Sequence, residues 1–194
     1  MSSELRSTTK QQVIQVGLEF LHGVGAEHIC NVCIPSGGSC CLGCRSIDNG
    51  VGCQERNTSC TAWLCGFLKY IFYEAGLLES WEKFWIQVPG RAYREDFTPE
   101  KFTVRYWLDT PEIRYLSEAF AEDLRDLAPI HNPFWILEMK ETLDRYIDNF
   151  MEYTDPEIRR KYEKEIKYLT KDFRCFHLAI GQMDWRSRET AVRG

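Results

Sequence analysis

The segment from Thr58 to Gly76 reads TSCTAWLCGFLKYIFYEAG and is strongly apolar. Placed on an α-helix, it puts six small or apolar side chains on one face, and these are Cys60, Leu64, Phe67, Leu68, Ile71 and Ala75. Trp63, Phe72 and Tyr73 cover much of the remaining surface. A helix that is apolar on nearly all sides normally lies in the centre of its domain. The segment therefore predicts one central helix against which the other elements pack.

A cluster of cysteines leads into this segment. Eight of the nine cysteines of the chain are Cys30, Cys33, Cys40, Cys41, Cys44, Cys53, Cys60 and Cys65. Between Glu27 and Asn57 the chain is rich in glycine and lacks a periodic apolar pattern, which predicts a loop. Such a loop buries too little apolar surface to offset the entropy that is lost when it becomes ordered. Bonds between thiolates and a metal would order it.

The spacing of these cysteines is typical of metal sites. Two C-x2-C pairs are formed by Cys30 with Cys33 and by Cys41 with Cys44. Each pair can hold one metal from a tight turn, and both together would make a tetrahedral four-cysteine zinc site, with the other four cysteines left for a second one. A single four-cysteine [4Fe–4S] cluster with spare thiols fits equally well. We therefore predict that the cofactor is Zn2+ or a [4Fe–4S] cluster and treat all eight cysteines as candidate ligands.

Helix geometry limits which cysteines share a site. On one continuous helix Cys60 and Cys65 would point about 140° apart, so both could bind one ion only if the helix began after Cys60. We expect Cys60 to lie in or before the first turn as a ligand, whereas Cys65 is either a ligand or a small buried side chain. His28 is an alternative ligand that would complete a Cys3His zinc site with the neighbouring cysteines. Cys175 stands alone near the carboxyl end, and we expect it in the core.

The order of these residues also resembles that of a known family. The matching positions are Cys30, Cys33, the doublet Cys40-Cys41, Gly52, Cys53, Arg56, Cys60 and Cys65. They resemble the zinc- or iron-chelating CxxCxxCC proteins, which are small bacterial and archaeal proteins defined largely by their cysteine pattern. In this chain six residues rather than two separate Cys33 from the doublet, and Cys44 is additional. The resemblance covers residues 30–65 and implies a chelated zinc or iron at Cys30, Cys33, Cys40 and Cys41, without implying a substrate.

The remainder of the chain has the patterns of helices. Thr8 with Gln11, or Thr9 with Gln12, would form a capping box for a helix that ends at Gly23 or Gly25. Farther along, three sites place a capping residue before a proline, at Thr110-Pro111, Asn132-Pro133 and Asp155-Pro156. Each is followed by an apolar stripe at helical spacing, so we expect three consecutive helices that pack as antiparallel neighbours. Residues 102–108 are the one stretch that favours a strand.

These observations predict a mainly α fold: a bundle-like helical domain with an amino-terminal cysteine-rich loop stapled by metal. We expect a cysteine-rich metal-binding region with flanking helices at residues 1–78, a helical region at 79–181 and a flexible tail at 182–194. The chain has 194 residues, which is ordinary for one compact unit.

Composition and charge narrow the class of protein. The formal net charge of −5 argues against binding to nucleic acid through phosphate neutralisation. Basic and aromatic residues alternate between Arg91 and Trp107, which favours either base stacking or ordinary core-and-rim packing, and the acidic charge favours packing. The polar start lacks a secretory signal and no stretch is long enough to span a bilayer, so we expect a cytoplasmic protein. In that reducing compartment clustered cysteines more often bind metal than form disulfides.

Three functions fit this pattern. The first is a small cytoplasmic protein that binds Zn or an Fe–S cluster and has a structural or interaction role, with another protein as its partner. The second is an Fe–S redox or sensor protein, and the third is an Fe–S-dependent enzyme that modifies another macromolecule. No short motif of a hydrolase, metalloprotease or nucleotide-binding protein occurs in the chain.

Overall fold

The fold is mainly helical, as predicted. The computed structural model describes residues 5–38, 46–48, 52–53, 56–92 and 95–192, with the backbone alone at 47–48, 52–53 and 184–192. Its helices are α1 (Lys10–Val24), α2 (Ala26–Cys33), α3 (Thr58–Ala62), α4 (Gly66–Glu74), α5 (Leu78–Ile86), α6 (Arg114–Leu127), α7 (Trp135–Glu152), α8 (Pro156–Leu169) and α9 (Arg174–Val192). Its strands are β1 (Arg6–Thr9), β2 (Ile47–Asp48), β3 (Gly52–Cys53), β4 (Arg91–Ala92), β5 (Glu95–Asp96) and β6 (Lys101–Val104). They pair antiparallel as β1 with β6, β2 with β3, and β4 with β5.

The first helix begins and ends where the sequence predicts. The Thr9 hydroxyl accepts the Gln12 N–H at 3.2 Å and the Gln12 side chain accepts the Thr9 N–H at 3.0 Å, which completes one of the two expected capping boxes. Gly25 closes the helix in the left-handed conformation with a φ of 83°, and its N–H donates to the His22 carbonyl. The predicted strand at residues 102–108 is real for its first part, because β6 pairs with β1, with Thr8 opposite Phe102.

The predicted central helix is two helices. α3 ends at Ala62, the backbone is extended at Trp63 and Cys65, and α4 starts at Gly66. The indole N–H of Trp81 donates to the Ala62 carbonyl at 2.8 Å. In an unbroken helix that carbonyl would accept the N–H of Gly66, so the bond to Trp81 satisfies the group where the helix stops. The expectation of one continuous helix from 58 to 76 is therefore wrong, although α4 is central as predicted.

The contact between α4 and α7 is unusually close at Gly66. A Cβ atom there would overlap the Lys140 carbonyl oxygen and would lie 2.8 Å from the Asp144 backbone nitrogen. Only glycine therefore allows the first turn of α4 to reach the α7 backbone. α7 packs on α4 and on α8, whereas α6 packs on α1, α2 and α9. We expected the helices after the three prolines, now α6, α7 and α8, to pack as consecutive neighbours. Of these three, only α7 and α8 form a substantial pair.

One of the three expected proline starts begins its helix directly. Asp155 accepts backbone N–H groups in the first turn of α8. Asn132 instead accepts the Phe134 N–H at 2.8 Å in a turn, and α7 begins at Trp135. α6 begins at Arg114 rather than at Pro111. The N–H of Ile113, the residue before α6, donates to the Gly23 carbonyl at 3.0 Å.

One apolar core joins the elements from α1 to α9. Its largest fully buried side chains include Phe20, Phe67, Tyr70, Phe72, Phe84, Phe120, Phe173 and Phe176. The Phe120 ring lies with its centroid 4.7 Å from that of Phe173 and 5.2 Å from that of Phe176. The buried Asp123 carboxylate accepts the N–H groups of Cys175 and Phe176 at the start of α9. α9 continues as a helix to Val192, past the predicted start of the tail at residue 182.

The cysteine-rich loop is not supported where the structure describes it. α2 occupies the beginning of the expected loop and carries both Cys30 and Cys33. Ile29 and Val32 are buried on the same helix, so α2 has an apolar face of its own that packs into the core. Residues 39–45, which include the candidate ligands Cys40, Cys41 and Cys44, lie outside the described residues, as does the side chain of Cys53.

The close approach at Gly66 leads to a stability prediction. We expect Gly66→Ala to lower the free energy of unfolding by about 1–3 kcal/mol, because the added methyl group forces α4 away from α7. Gly181→Ala is the matched control, since no atom lies within 4 Å of the added Cβ on α9. It should raise stability by up to about 1 kcal/mol through helix propensity. Urea denaturation followed by circular dichroism measures both, and equal midpoints for the two variants would contradict the packing argument.

Candidate functional site: a cysteine-lined cleft

A cleft of about 830 Å³ lies between α1 and α2 on one side and α3, α4 and α5 on the other. Cys30, Cys60 and Cys65 line it from three different helices or helix starts. Its volume is in the range of sites for small molecules and cofactors. The cleft thus brings Cys30 together with Cys60 and Cys65, which lie 30 and 35 residues farther along the sequence and flank the helix break.

α2 presents its two cysteines on neighbouring positions of one face, because they are three residues apart. Cys30 is half-buried at the cleft and Cys33 is buried behind it. Gly38 lies directly against the Cys33 sulfur, since a Cβ on Gly38 would overlap that atom. The Gly38 N–H also donates to the Cys33 carbonyl at 2.8 Å. The chain after α2 therefore folds back over Cys33.

Cys65 occupies the residue before α4 and is only 6% exposed. Burial raises the pKa of its thiol to about 12, which keeps the sulfur protonated at neutral pH. The N–H groups of Leu68 and Phe67, at the start of α4, act in the opposite direction and favour the thiolate. Negative charge on Cys33 or Cys30 would raise the pKa of Cys65 further, so the three sulfurs lie within electrostatic range of one another.

The charge around Cys30 differs from that around Cys65. Burial raises the pKa of the Cys30 thiol, and the nearby carboxylate of Glu27 raises it further. The guanidinium of Arg56 opposes both effects, because a cation stabilises the thiolate. Arg56 precedes α3 and lines the cleft, so a positive charge faces the cysteine end of the cleft.

Asp96 fixes the start of α3 and was missed by the sequence reasoning. Its carboxylate accepts the N–H groups of Thr58 and Thr98 at 3.0 Å each and pairs with Lys10 at 3.1 Å. Burial would raise its pKa, but these hydrogen bonds and Lys10 prevail and lower it to about 2. This cluster holds the short helix that carries Cys60 in place. Its parts are 38 and 86 residues apart in sequence, so no local pattern indicates them.

Ion pairs close the rim of the cleft at two places. Arg114 pairs with Glu27 and donates to the His22 carbonyl at 2.7 Å. On the far side Lys69 bridges two carboxylates of α7, with 2.5 Å to Asp144 and 2.6 Å to Asp148. These pairs tie α2 to α6 and α4 to α7, and they position the walls on which Cys30 and Cys65 lie.

The structure brings together half of the predicted ligands. Cys30 and Cys33 lie on α2 within electrostatic range of Cys65, and Cys60 lines the same cleft as Cys30 and Cys65 from the first turn of α3. The angular objection to Cys60 and Cys65 acting together does not hold, because they are on separate helices. Cys30, Cys60 and Cys65 are free thiols. Among the described residues, however, no three histidine, cysteine, aspartate or glutamate side chains are arranged so that they could hold one metal ion.

The other candidates lie elsewhere. His28 is half-buried near Gly25 and does not line the cleft. Cys175 is a half-buried free thiol at the start of α9, next to Asp123, so it is partly buried rather than fully in the core as expected. Of the described basic and aromatic residues from Arg91 to Trp107, Arg91 alone lines the cleft, and Tyr93 and Arg94 lie outside the described residues.

Comparison with known proteins adds no family. No protein-family model, curated protein or solved structure matches the chain. The resemblance to the CxxCxxCC proteins therefore stays a prediction. In the part of the chain that the structure describes, no helix is both long enough and apolar enough to cross a membrane.

The burial of Cys65 predicts slow chemical modification. In metal-free protein at pH 8, we expect iodoacetamide to alkylate Cys65 at least about 100-fold more slowly than in urea, because a thiol with a pKa near 12 is almost entirely protonated whereas an exposed thiol titrates near 8.5. The rate should rise with pH up to about 12. Peptide mass spectrometry follows the reaction, and equal rates in native and unfolded protein would contradict the assigned burial.

The Asp96 cluster predicts a specific acid dependence. The folded pKa of about 2 is below the unfolded value of about 3.9, so this group stabilises the fold above pH 4 and loses that contribution as the pH falls toward 2. Asp96→Asn should therefore lower the free energy of unfolding by about 2 kcal/mol at pH 7. As the pH falls from 4 to 2, the variant should lose less stability than wild type does. Asp126→Asn, at an exposed position of α6, is the control and should match wild type. Denaturant midpoints are measured across this pH range. If they fell equally with pH in wild type and in Asp96→Asn, the stabilising role of the Asp96 carboxylate would be refuted.

Proposed function

We propose that the protein binds a metal through cysteines of the cleft, either Zn2+ or a [4Fe–4S] cluster. In this proposal the metal stabilises the amino-terminal half of a small cytoplasmic protein, whose role is structural or to bind another protein. The observation that carries it is that Cys30 and Cys65 line the same cleft from α2 and from the start of α4, with Cys33 within electrostatic range of Cys65. Cys60 adds a fourth sulfur on the wall of the same cleft.

The donor set suits the chemistry. Thiolates are the preferred ligands of zinc and of Fe–S clusters. A buried thiol is neutral without a metal, and coordination replaces its proton, so the raised pKa of Cys65 is compatible with ligation. The N–H groups of Leu68 and Phe67 lie where they would stabilise a coordinated sulfur. The Arg56 charge would offset part of the negative charge of several thiolates.

Metal binding requires the four sulfurs to come closer than they are in the structure. Cys30, Cys33 and Cys65 lie within electrostatic range and Cys60 lines the same cleft, but the described side chains are not arranged to hold one ion. Cys40, Cys41, Cys44 and Cys53 were predicted as ligands from the sequence, and their side chains lie outside the described residues. The proposal therefore depends on Cys30, Cys33, Cys60 and Cys65 and does not need a second site.

An Fe–S redox or sensor role is the second candidate. It is favoured by the walls beside the cysteines, where Trp63, Trp81 and Leu68 line the cleft with apolar surface. Apolar surroundings and N–H groups near the sulfurs are the features by which a protein sets the potential of a cluster. An Fe–S-dependent enzyme that modifies another macromolecule is a variant of this candidate, and it would additionally need an open coordination position.

Elemental analysis of anaerobically purified protein tests the proposal. We expect at least about one zinc, or iron together with acid-labile sulfide, per chain. Zinc protein would be colourless and stable in air, whereas a cluster would be brown and would bleach in air. Protein without any of these elements, obtained from cells supplied with both metals, would contradict metal binding.

Serine variants assign the ligands. We expect Cys30→Ser and Cys65→Ser each to lower the bound metal at least about 10-fold, and Cys175→Ser to leave it unchanged, because Cys175 lies at α9 and not in the cleft. Circular dichroism verifies that each variant is folded, and Cys30 is only half-buried, so its variant should tolerate the change. Chelator treatment of wild type should lower the melting temperature, since a metal that binds only the folded state stabilises it. Equal metal content in all three variants would contradict the assignment.

A further inference from the structure

The cleft has a larger volume than a metal site needs. One ion or cluster with its sulfur ligands would fill only part of the space of about 830 Å³. The remaining walls are apolar, and their main side chains are Leu18, Leu21, Trp63, Leu64, Leu68 and Trp81. Trp63 is 42% exposed, although the neighbouring Leu64 is 5% exposed. An exposed indole at the mouth of an apolar cleft offers a flat surface to a ligand.

Two arginines border one end of this cleft. Arg56 directly precedes the Asn57 cap of α3, and Arg91 lies on β4, which packs against α3. Both line the cleft. Among the residues that the structure describes, neither guanidinium forms an ion pair, and Arg91 lies 5.9 Å from the centre of the Trp85 ring. The end of the cleft at α3 therefore presents two guanidinium groups, and the nearby Asp96 carboxylate, which does not line the cleft, pairs with Lys10.

The acidic side chains that line the cleft lie beside other cations. Glu27 pairs with Arg114, and Asp148 pairs with Lys69. Glu82 also lines the cleft, and it lies on the side of Lys69, whose charge acts on its pKa against the effect of burial. Each acidic side chain that lines the cleft thus has a cationic neighbour of its own, so the described lining beside α3 carries the two guanidinium charges.

We propose that this cleft binds a small organic anion with a flat apolar body. A carboxylate or sulfonate group would be held by the guanidinium groups of Arg56 and Arg91, which can donate two parallel hydrogen bonds to such a group. The apolar body would lie against Trp63, Trp81 and Leu68. This site goes beyond metal binding and does not require a metal, because none of the side chains that would hold the anion is a proposed metal ligand.

The test compares two probes with the same rings. The probe 8-anilinonaphthalene-1-sulfonate carries the anion, and N-phenyl-1-naphthylamine lacks it. Fluorescence titration of the full chain should give one saturable site for the sulfonate. In the double variant Arg56→Gln with Arg91→Gln, the affinity for the sulfonate should fall at least about 10-fold, whereas the affinity for the neutral probe should change less than about twofold. Trp63→Ala should weaken both probes.

Two exposed arginines outside the cleft supply the control. The double variant Arg125→Gln with Arg160→Gln removes the same charge from α6 and α8 and should bind both probes like wild type. Each variant must retain the wild-type melting temperature, because partly unfolded chains also bind these dyes. Unsaturable binding, or equal loss in the two double variants, would overturn the site. The metal content of each sample is measured alongside, so a failure of metal binding and a failure of anion binding are separate outcomes.

Discussion

The hydrogen bond from the Trp81 indole to the Ala62 carbonyl lies at the helix break that separates Cys60 from Cys65. It satisfies the carbonyl group at which the apolar segment stops being one helix. Cys65 consequently lies at the start of α4, facing α2, and Cys60 stays on the separate α3. The close approach at Gly66 then fixes α4 against α7, so the position of Cys65 is set by backbone packing rather than by a flexible side chain.

The burial that follows has chemical consequences. Burial favours the neutral thiols of Cys65 and Cys30, while the N–H groups at the start of α4 favour the charged form of Cys65 and the guanidinium of Arg56 favours that of Cys30. These opposing effects leave thiols that react slowly with solvent reagents and that a metal ion can still deprotonate. The cleft thus combines apolar walls, protected sulfurs and cations at one end, and these features suit the two proposed ligands, a metal and an organic anion.

Local features of the fold can be predicted from the sequence, and features set by distant contacts cannot. The caps at Thr9 and Asp155 depend on residues three or fewer positions away, and the apolar stripes of α6 and α7 depend on helical spacing alone. The break before α4 depends on Trp81, 19 residues beyond the carbonyl that it contacts. α2 was missed because the glycines that follow it outweighed the short apolar spacing of Ile29, Val32 and Cys33.

The candidate site shows the same division. The cysteine spacing indicates which residue types matter, and four of the eight predicted ligands border or back one cleft. The residues that hold α3 and its Cys60 in place are distant in sequence. Asp96 contacts Lys10 and Thr58 only in the folded chain. The same is true of Arg56 and Arg91, which are 35 residues apart in sequence and both line the cleft beside α3.

X-ray absorption spectroscopy at the zinc and iron edges, on protein purified under nitrogen, tests the metal proposal most directly. The account predicts a first coordination shell of four sulfur atoms at about 2.3 Å. A shell made only of oxygen and nitrogen atoms, or the absence of an edge signal above buffer, would contradict it.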